Sequence, residues 1–519
     1  MEDLPQITET IRLPVHIDIS PYLPDHHVEG RVVLPAVEMM NLLAETVKHF
    51  QPETDITDMT EARFDKFLYI QPDTTRLTAY ADIELHKNGD ITASLLTKKR
   101  SKKSFITRIK SHASVCYPKK KIDFADPPLD LSSGLEGICV EISPDKIYRE
   151  LVPFGPAYHN IQGTLYISEY GAFALAGSPE RKALSGRPAL LGSPFPLDAA
   201  FHAACVWGQR YGQKVAFPVG IGRRKVFNST RFDEIYFMHI LPLQTNSTRF
   251  LFDMRIYDKS GNLYEEARGV QMRDVSAGRI KPPAWITKIE KKNPLERIRH
   301  KCRAASVIEL KTLMPFSEKT LSIHEQKRFQ LMGEKRKQSY LGARLACKRL
   351  SRILSGDDMR TLPSEITTVG PDLERPCCPL TNGDSALPCS VSHDDRFAIA
   401  VAADQKVGID VEKMSGRIMK SGSLFMSKNE QAMVQASPLG KIEATIRIWS
   451  IKEAAAKALD LTMADSWNRV HVMDVGQEKS VIRIDDTDVD SAIHERVDQH
   501  LFTLVCKSAS TRAHHAEKR

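Results

Sequence analysis

From the start of the chain to about residue 275, apolar and polar residues alternate in short runs such as DITASLLT and SFITRIKSHASVCY, separated by turn signals such as Asn88-Gly89. A period of two predicts strands with one buried face, so this half reads as strand-rich. Two runs break the alternation. PAVEMMNLLAETVKHF from Pro35 and PLDAAFHAACVWGQRYG from Pro196 carry apolar residues at helical spacing, and each opens at a proline, which suits a helix's first turn.

The stretch at 276–298, SAGRIKPPAWITKIEKKNPLERI, is rich in Pro and Lys without a period and reads as a linker between a domain at 1–275 and a second at 299–506. The second half opens with EQKRFQLMGEKRKQSYLGARLACKRLSRIL, which predicts one long helix. A Pro/Gly-rich segment, two strand-like runs and a helix around 440–460 follow, giving a mixed α/β half. Ser322-x-x-Glu325 followed by ARLACKRL is echoed by Ser427-x-x-Glu430 followed by IKEAAAKAL, the pattern of either a duplication or a chance likeness of short helices. The terminal KSASTRAHHAEKR, 507–519, reads as a disordered tail.

Composition adds bounds. A length of 519 residues exceeds what one core usually organises, and 42% hydrophobic with 27% charged residues is the make-up of a globular protein. Nine cysteines without metal-ligand spacing argue against a secreted disulfide framework. The acidic and polar start MEDLPQITET lacks a signal-peptide pattern and no stretch approaches a membrane span, so the expected location is cytoplasmic, with no membrane partner. The net charge of +8 gathers in KKRSKK at 98–103 and KKK at 119–121. Such runs are solvated surface or a docking face for an acidic protein, and without a nucleic-acid-binding motif no nucleic-acid partner is expected.

Candidate chemistry is densest near the C-terminus. SVSHDDRFAIAVAADQKVGIDVEK ends in a strand-like run where Asp410 and Glu412, two apart, share a face. Alone, this is either a solvated strand face or a pair of oxygen ligands for a hard cation. Forty residues on, WSIKEAAAK places Glu453 and Lys457 four apart on one helix face, adding a third carboxylate and a cation.

S-V-S-H, then G-I-D-V-E, then W-S-x-K-E-A-x-x-K, in this order and spacing, resemble the 4'-phosphopantetheinyl transferases, over roughly residues 300–510 and in the larger single-chain form built from two similar halves. The resemblance implies that Asp410, Glu412 and Glu453 hold Mg²⁺ on the pyrophosphate of coenzyme A, and that Lys457 and His393 contact its phosphates. It implies Glu453 as the base toward a serine of an acyl or peptidyl carrier protein. Arg344 is the counterpart of a 3'-phosphate contact or a solvated helix residue, and Phe425 matches a family segment or is core.

In the first half, His26, Gly30 and Pro35 meet H-x-x-x-G-x-x-x-x-P, and Asp198 and His202 meet D-x-x-x-Q/H, with Phe154-Gly155-Pro156 and Phe217-Pro218-Val219 in order between and after them. This resembles the dehydratase domains of polyketide and fatty acid synthases, although Ala36 stands where a glycine often follows the proline. The implied architecture is α+β: an N-terminal double hot-dog, each helix wrapped by its own antiparallel sheet, followed by a pseudo-twofold α/β transferase domain. The implied chemistry is elimination of water from a 3-hydroxyacyl thioester, with His26, chosen over His27 by the spacing to Gly30, as base and Asp198 as acid. That acid role calls for an apolar pocket raising the Asp198 pKa, for which Phe195, Leu197 and Phe201 are at hand. His202 orients Asp198, binds substrate, or is a core histidine. The combined expectation is a bifunctional carrier-protein enzyme; the alternative is a transferase whose hot-dog half only binds the carrier.

Overall fold

A computed structural model describes residues 6–100, 107–120, 135–177, 190–245, 249–288, 294–356, 361–370, 376–379, 387–485 and 488–506. The 507–519 tail and residues 101–103 and 121 of the basic runs fall outside them. The chain divides into two compact units, Met1–Asp126 with Cys139–Ile289, and Pro127–Ile138 with Glu290–Arg519. The division at 289/290 lies inside the stretch read as a linker, part of which, Ala284–Thr287, is a short helix.

The first unit is an antiparallel sheet of twelve strands: β1 (Ile7–Asp18), β2 (Asp58–Phe64), β3 (Arg76–His86), β4 (Ile91–Arg100), β5 (Thr107–Tyr117), β6 (Val140–Ile142), β7 (Ile161–Ser168), β8 (Gly171–Ala176), β9 (Phe217–Val226), β10 (Tyr236–Thr245), β11 (Phe250–Tyr257) and β12 (Leu263–Arg273). Their spatial order is β1-β3-β4-β5-β2-β9-β12-β11-β10-β8-β7-β6. The period of two is visible in β3, where Ala79, Ala81 and Ile83 are all fully buried. Helix α1 (Ala36–Phe50) packs Val37, Met40, Leu43 and Val47 onto β3–β5, and α2 (Phe195–Tyr211) packs onto β8, β10 and β11. Every residue of α2 from Phe195 to Gln209 is buried, as its apolar and small residues on all faces require. The two expected sheets are one: β2 pairs with β9, Ala62 opposite Ile221, so the halves join edge to edge and neither exposes an inner edge.

The second unit comprises β13 (Ala304–Glu309), α3 (Ile323–Gln330), α4 (Glu334–Leu354), β14 (Cys389–His393), β15 (Phe397–Ala402), β16 (Val407–Lys413), α5 (Lys428–Ala436), α6 (Lys441–Leu459), β17 (Val470–Asp474), β18 (Lys479–Ile484), β19 (Asp488–Val497) and β20 (His500–Cys506). They form two sheets, β13-β15-β14 and β16-β20-β19-β18-β17. The expected long helix is broken into α3 and α4, because Gly333 takes the extended N-cap conformation and restarts the chain. Residues 135–138, from the first half of the sequence, belong here: Gly137 N donates to Val307 O at 2.8 Å and Glu136 pairs with Arg349 at 3.0 Å, so this segment covers the free edge of β13.

The sequence echo is a structural repeat. Ser322 and Glu325 form a capping box at α3, and Ser427 and Glu430 form one at α5. Glu325 then receives Lys348 of α4 at 2.7 Å and Thr368 N at 2.8 Å, while Glu430 receives Lys452 of α6 at 3.0 Å and Val472 N at 2.9 Å. Each half thus repeats a capped short helix, a long helix with a buried lysine, and a following chain bonded to the same carboxylate.

Candidate active sites

In the first unit, His27–Val28 and Arg31–Val32 form a two-residue ladder closed by Glu29 and Gly30, both at positive φ, which is why a glycine stands at 30. This tight hairpin follows His26, whose Nδ1 lies 2.8 Å from Val33 O. Nδ1–H donates to that carbonyl, leaving Nε2 as the basic nitrogen. A neighbouring loop is tied to the same place: Gly155 N donates to Asp25 O and Ala157 N to Asp25 Oδ2, both at 2.8 Å.

His26, Asp198 and His202 line one cavity of about 400 Å³ with Phe154, Phe201 and Phe217. His27 is not among its walls. Burial lowers the His26 pKa, with Asp198 opposing, which favours the neutral imidazole. His202 Nε2 is 3.0 Å from Asp198 Oδ2 without hydrogen-bond alignment, and its Nδ1 is 3.2 Å from Tyr148 Oη. Asn160 Nδ2 donates to Asp198 Oδ2 at 3.0 Å. Burial works to raise the Asp198 pKa, but His202, His26 and Asn160 together outweigh it and hold the carboxyl below its ordinary value. This reverses the expectation from the apolar residues of α2: Phe195 and Leu197 are buried, yet the polar partners decide the sign. The pattern did not single out Tyr148, Asn160 or Glu38, whose carboxyl accepts from Tyr22 Oη at 2.8 Å and is pushed up to about 7 by burial.

In the second unit, Asp410 and Glu412 of β16 and Glu453 of α6 bring carboxylate oxygens within 4.8 Å of one another. The approach depends on Gly408, where a Cβ would lie 1.8 Å from Ala454 O. Asp410 is buried, with Oδ1 accepting from Ser392 at 3.0 Å and Oδ2 from Ser450 at 2.8 Å. Trp449 Nε1 donates to Glu412 Oε1 at 2.7 Å. Lys457 Nζ reaches Asp410 Oδ1 at 3.2 Å, Glu453 Oε1 at 3.0 Å and Ser392 Oγ at 3.0 Å, so its ammonium faces the carboxylates. Burial pushes the Glu412 carboxyl up to about 7, with Asp410 adding, and burial likewise raises Glu453 against the pull of Lys457. Three converging carboxylates, Asp410 buried and Glu412 and Glu453 half-buried, suit a hard divalent cation, whose charge would offset theirs.

His393 ends β14 at the surface, and partial burial with Lys457 lowers its pKa. The turn after it is fixed by Asp394, which accepts from Arg396 N and Phe397 N at 2.8 Å and pairs with His500 Nδ1 at 2.5 Å. Arg344 is buried rather than solvated: Nη1 donates to Thr368 O at 2.5 Å, and Nε has no hydrogen-bond partner among the described residues. Phe425 is core, its ring 5.1 Å from that of Trp449. Ser392, Ser450 and Trp449 are the support residues the motif reading passed over, although each stands inside a quoted motif.

Residues 406–508 match the family model of the 4'-phosphopantetheinyl transferase superfamily, and residues 126–280 match that of the polyketide synthase dehydratase N-terminal domain. No curated protein matches the chain. Similar solved structures include the dehydratase domain of a mycocerosic acid synthase-like polyketide synthase (16% identity over 52% of this chain and 93% of that one, TM-score 0.42). Others are the dehydratase domain from the CurF module of curacin polyketide synthase (21%, 52% and 96%, TM-score 0.40) and an N-terminal dehydratase from the difficidin assembly line (13%, 52% and 95%, TM-score 0.42).

Proposed function

We propose, for a chain that joins a polyketide synthase dehydratase domain to a 4'-phosphopantetheinyl transferase domain, two activities on one carrier protein. The transferase unit moves 4'-phosphopantetheine from coenzyme A to a carrier serine, and the hot-dog unit dehydrates the 3-hydroxyacyl thioester later built on that arm. The observation that carries the reading is the convergence of Asp410, Glu412 and Glu453 beside Lys457.

Asp410, Glu412 and Glu453 would hold a divalent cation such as Mg²⁺, whose chemistry is to neutralise the pyrophosphate. The chain's own residues do the rest. Ser392 and Ser450 fix Asp410, and Trp449 fixes Glu412. The carrier serine Oγ attacks the phosphorus next to the pantetheine arm, the P–O bond to the nucleotide breaks, and Glu453 accepts the serine proton. His393, at the rim, meets the phosphates, and the unpartnered Nε of Arg344 is a donor for a phosphate oxygen.

In the dehydratase cavity, His26 Nε2 removes the proton α to the thioester carbonyl, and the β-hydroxyl departs as water. The proton it takes is delivered by Asp198, with His202 Nε2 3.0 Å from its Oδ2. The lowered Asp198 pKa opposes that acid role. The same lowered pKa favours a second reading, in which the hot-dog unit binds the carrier without chemistry.

Intact-mass analysis of apo carrier with coenzyme A and Mg²⁺, then of a 3-hydroxyacyl carrier, separates the two. Loss of one water with the wild type and not with Asp198→Asn or His26→Ala establishes the dehydratase. An unchanged acyl mass across chain lengths, in a preparation that still loads the carrier, leaves the binding module. A carrier that is never loaded refutes the transferase.

A further inference from the structure

The cavity of the first unit extends beyond His26, Asp198 and His202 to an end with a different character. Its walls grade from buried to exposed. Asp198 and His202 are each 4% exposed, whereas Asp65, Lys66, Lys110 and Val275 face solvent, so the cavity opens at these last four.

The two lysines at the opening are held in place by a buried side chain. Lys66 stands just past the end of β2, and Lys110 lies on β5. Asp65 N donates to His112 O and His112 Nδ1 donates to Lys66 O, both at 3.0 Å. A carbonyl can only accept, so Nδ1 carries the proton, and Nε2 of the neutral ring accepts from Thr97 Oγ1 at 2.8 Å. His112 is 3% exposed and thus ties β4, β5 and the Lys66 backbone together from inside.

Other charges on this side of the unit are matched, Arg63 with Glu61 at 3.7 Å and Glu29 with Arg279 at 3.2 Å. The ammonium groups of Lys66 and Lys110 have no hydrogen-bond or ion-pair partner among the described residues. Asp65, the carboxylate at the opening, accepts from Ser111 Oγ at 2.9 Å. Arg31, its guanidinium 3.5 Å from the centre of the Tyr69 ring in the cavity wall, adds a third cation. Three cations against one carboxylate make an opening that draws an anion.

The distance to His26 says what kind of anion. Val33, whose carbonyl anchors His26, pairs with Tyr69, and Leu34 N donates to Leu68 O, so the chain at 68–70 runs beside 32–34. Lys66 lies three residues before Tyr69, about 10 Å along an extended chain. Phe67 and Phe217, ring centroids 5.8 Å apart, line the way between. The cavity therefore suits a long, slender molecule with its anionic end at the lysines and its reacting end at His26. We propose that Lys66 and Lys110 bind the phosphate of a phosphopantetheine arm, the phosphodiester that joins the arm to a carrier serine. This deepens the reading of the first unit given above and rests on a carrier-borne thioester as its ligand, whether that thioester is dehydrated or only held.

The test measures binding to the full chain by isothermal titration calorimetry, with butyryl thioesters that lack a β-hydroxyl and cannot be dehydrated. Butyryl-4'-phosphopantetheine is expected to bind the wild type about five- to tenfold more tightly than butyryl-pantetheine at low salt, and the preference should shrink as salt is added. In Lys66→Gln/Lys110→Gln, at two exposed positions, both thioesters bind equally. Lys66→Arg/Lys110→Arg keeps both charges and keeps the preference. Because both lysines belong to the first unit, these changes report its cavity and not the phosphate site of the second. Equal affinity of the wild type for the two thioesters, or a preference that survives the glutamine variant, overturns the subsite. Loss of butyryl-carrier binding in a glutamine variant that still prefers the phosphorylated arm assigns the lysines to acids on the carrier surface and overturns it as well. A butyryl-coenzyme A bound more tightly than the butyryl carrier overturns the carrier as the source of the phosphate. Lysine-dependent phosphate binding in a protein that removes no water from a 3-hydroxyacyl carrier sinks the dehydratase reading and leaves the subsite standing.

Discussion

Gly408→Ala tests the transferase site at its tightest point. The new Cβ would sit 1.8 Å from Ala454 O and 2.7 Å from Ala458 N, both backbone atoms of α6, whereas an ordinary contact begins near 3.4 Å. Strand and helix would have to part by about 1.6 Å. Overpacking of this kind costs about 1–3 kcal/mol, a loss of about 5 °C in Tm for a unit of this size. The functional effect is larger, because Asp410 and Glu412 ride on the strand while Glu453 and Lys457 ride on the helix. A displacement of about 1 Å at a reacting centre is worth roughly a hundredfold in rate. Carrier loading by the variant, followed by intact mass at saturating coenzyme A, is expected to fall about a hundredfold while the protein stays folded by circular dichroism. A variant with native Tm and native rate would show that the close approach does not set the site, and the argument from convergence would fail.

Ser450→Ala removes one of two hydroxyls bonded to Asp410, so the Mg²⁺ concentration needed for half-maximal loading should rise about 10–100-fold with little change in maximal rate; an unchanged titration refutes the supporting role. With His26 in the proposed role of neutral base and its pKa lowered by burial, kcat/KM for dehydration should hold at pH 6.5, the ordinary histidine midpoint, and fall only at lower pH. A fall beginning above pH 6.5 contradicts the buried neutral imidazole. Lys452→Met strands Glu430 in a site where both side chains are 1% exposed or less, and should lower Tm by about 10 °C, from a loss of about 3–5 kcal/mol. Lys348→Met should do the same through Glu325, and a much smaller effect at either would deny the equivalence of the halves.

What was legible in the sequence was what lies within one turn or one strand. The period of two puts Asp410 and Glu412 on one face of β16, and a four-residue step puts Glu453 above Lys457 and Asp198 above His202. The Ser322/Glu325 and Ser427/Glu430 boxes were visible for the same reason. What was not legible depends on chain segments far apart. Ser392 lies 18 residues from Asp410 and Ser450 lies 40 from it, and only the packing of β14 and α6 against β16 joins them. The joining of two sheets through β2 and β9 leaves no local mark, because strand patterning reports which face is buried and not which edge is paired. The polar shell of Asp198 is legible only in part: His202, the strongest opposing partner, stands four residues on along the same helix, whereas His26 and Asn160 arrive from elsewhere. Gly333 was absorbed into a helical pattern because a single glycine weakens a helix without forbidding it.

The four residues 135–138 on the edge of β13 bear on how such a chain could have been assembled and how it can be taken apart. The polypeptide leaves the first unit after residue 126, returns at 139 and leaves again at 289, so the halves are not beads on one string. A gene cut at codon 290 would yield a C-terminal product with a bare strand edge and Arg349 deprived of Glu136, the sort of edge that recruits strands from other chains. Supplying the missing piece as a peptide, or moving it to the new N-terminus, becomes the condition for independence.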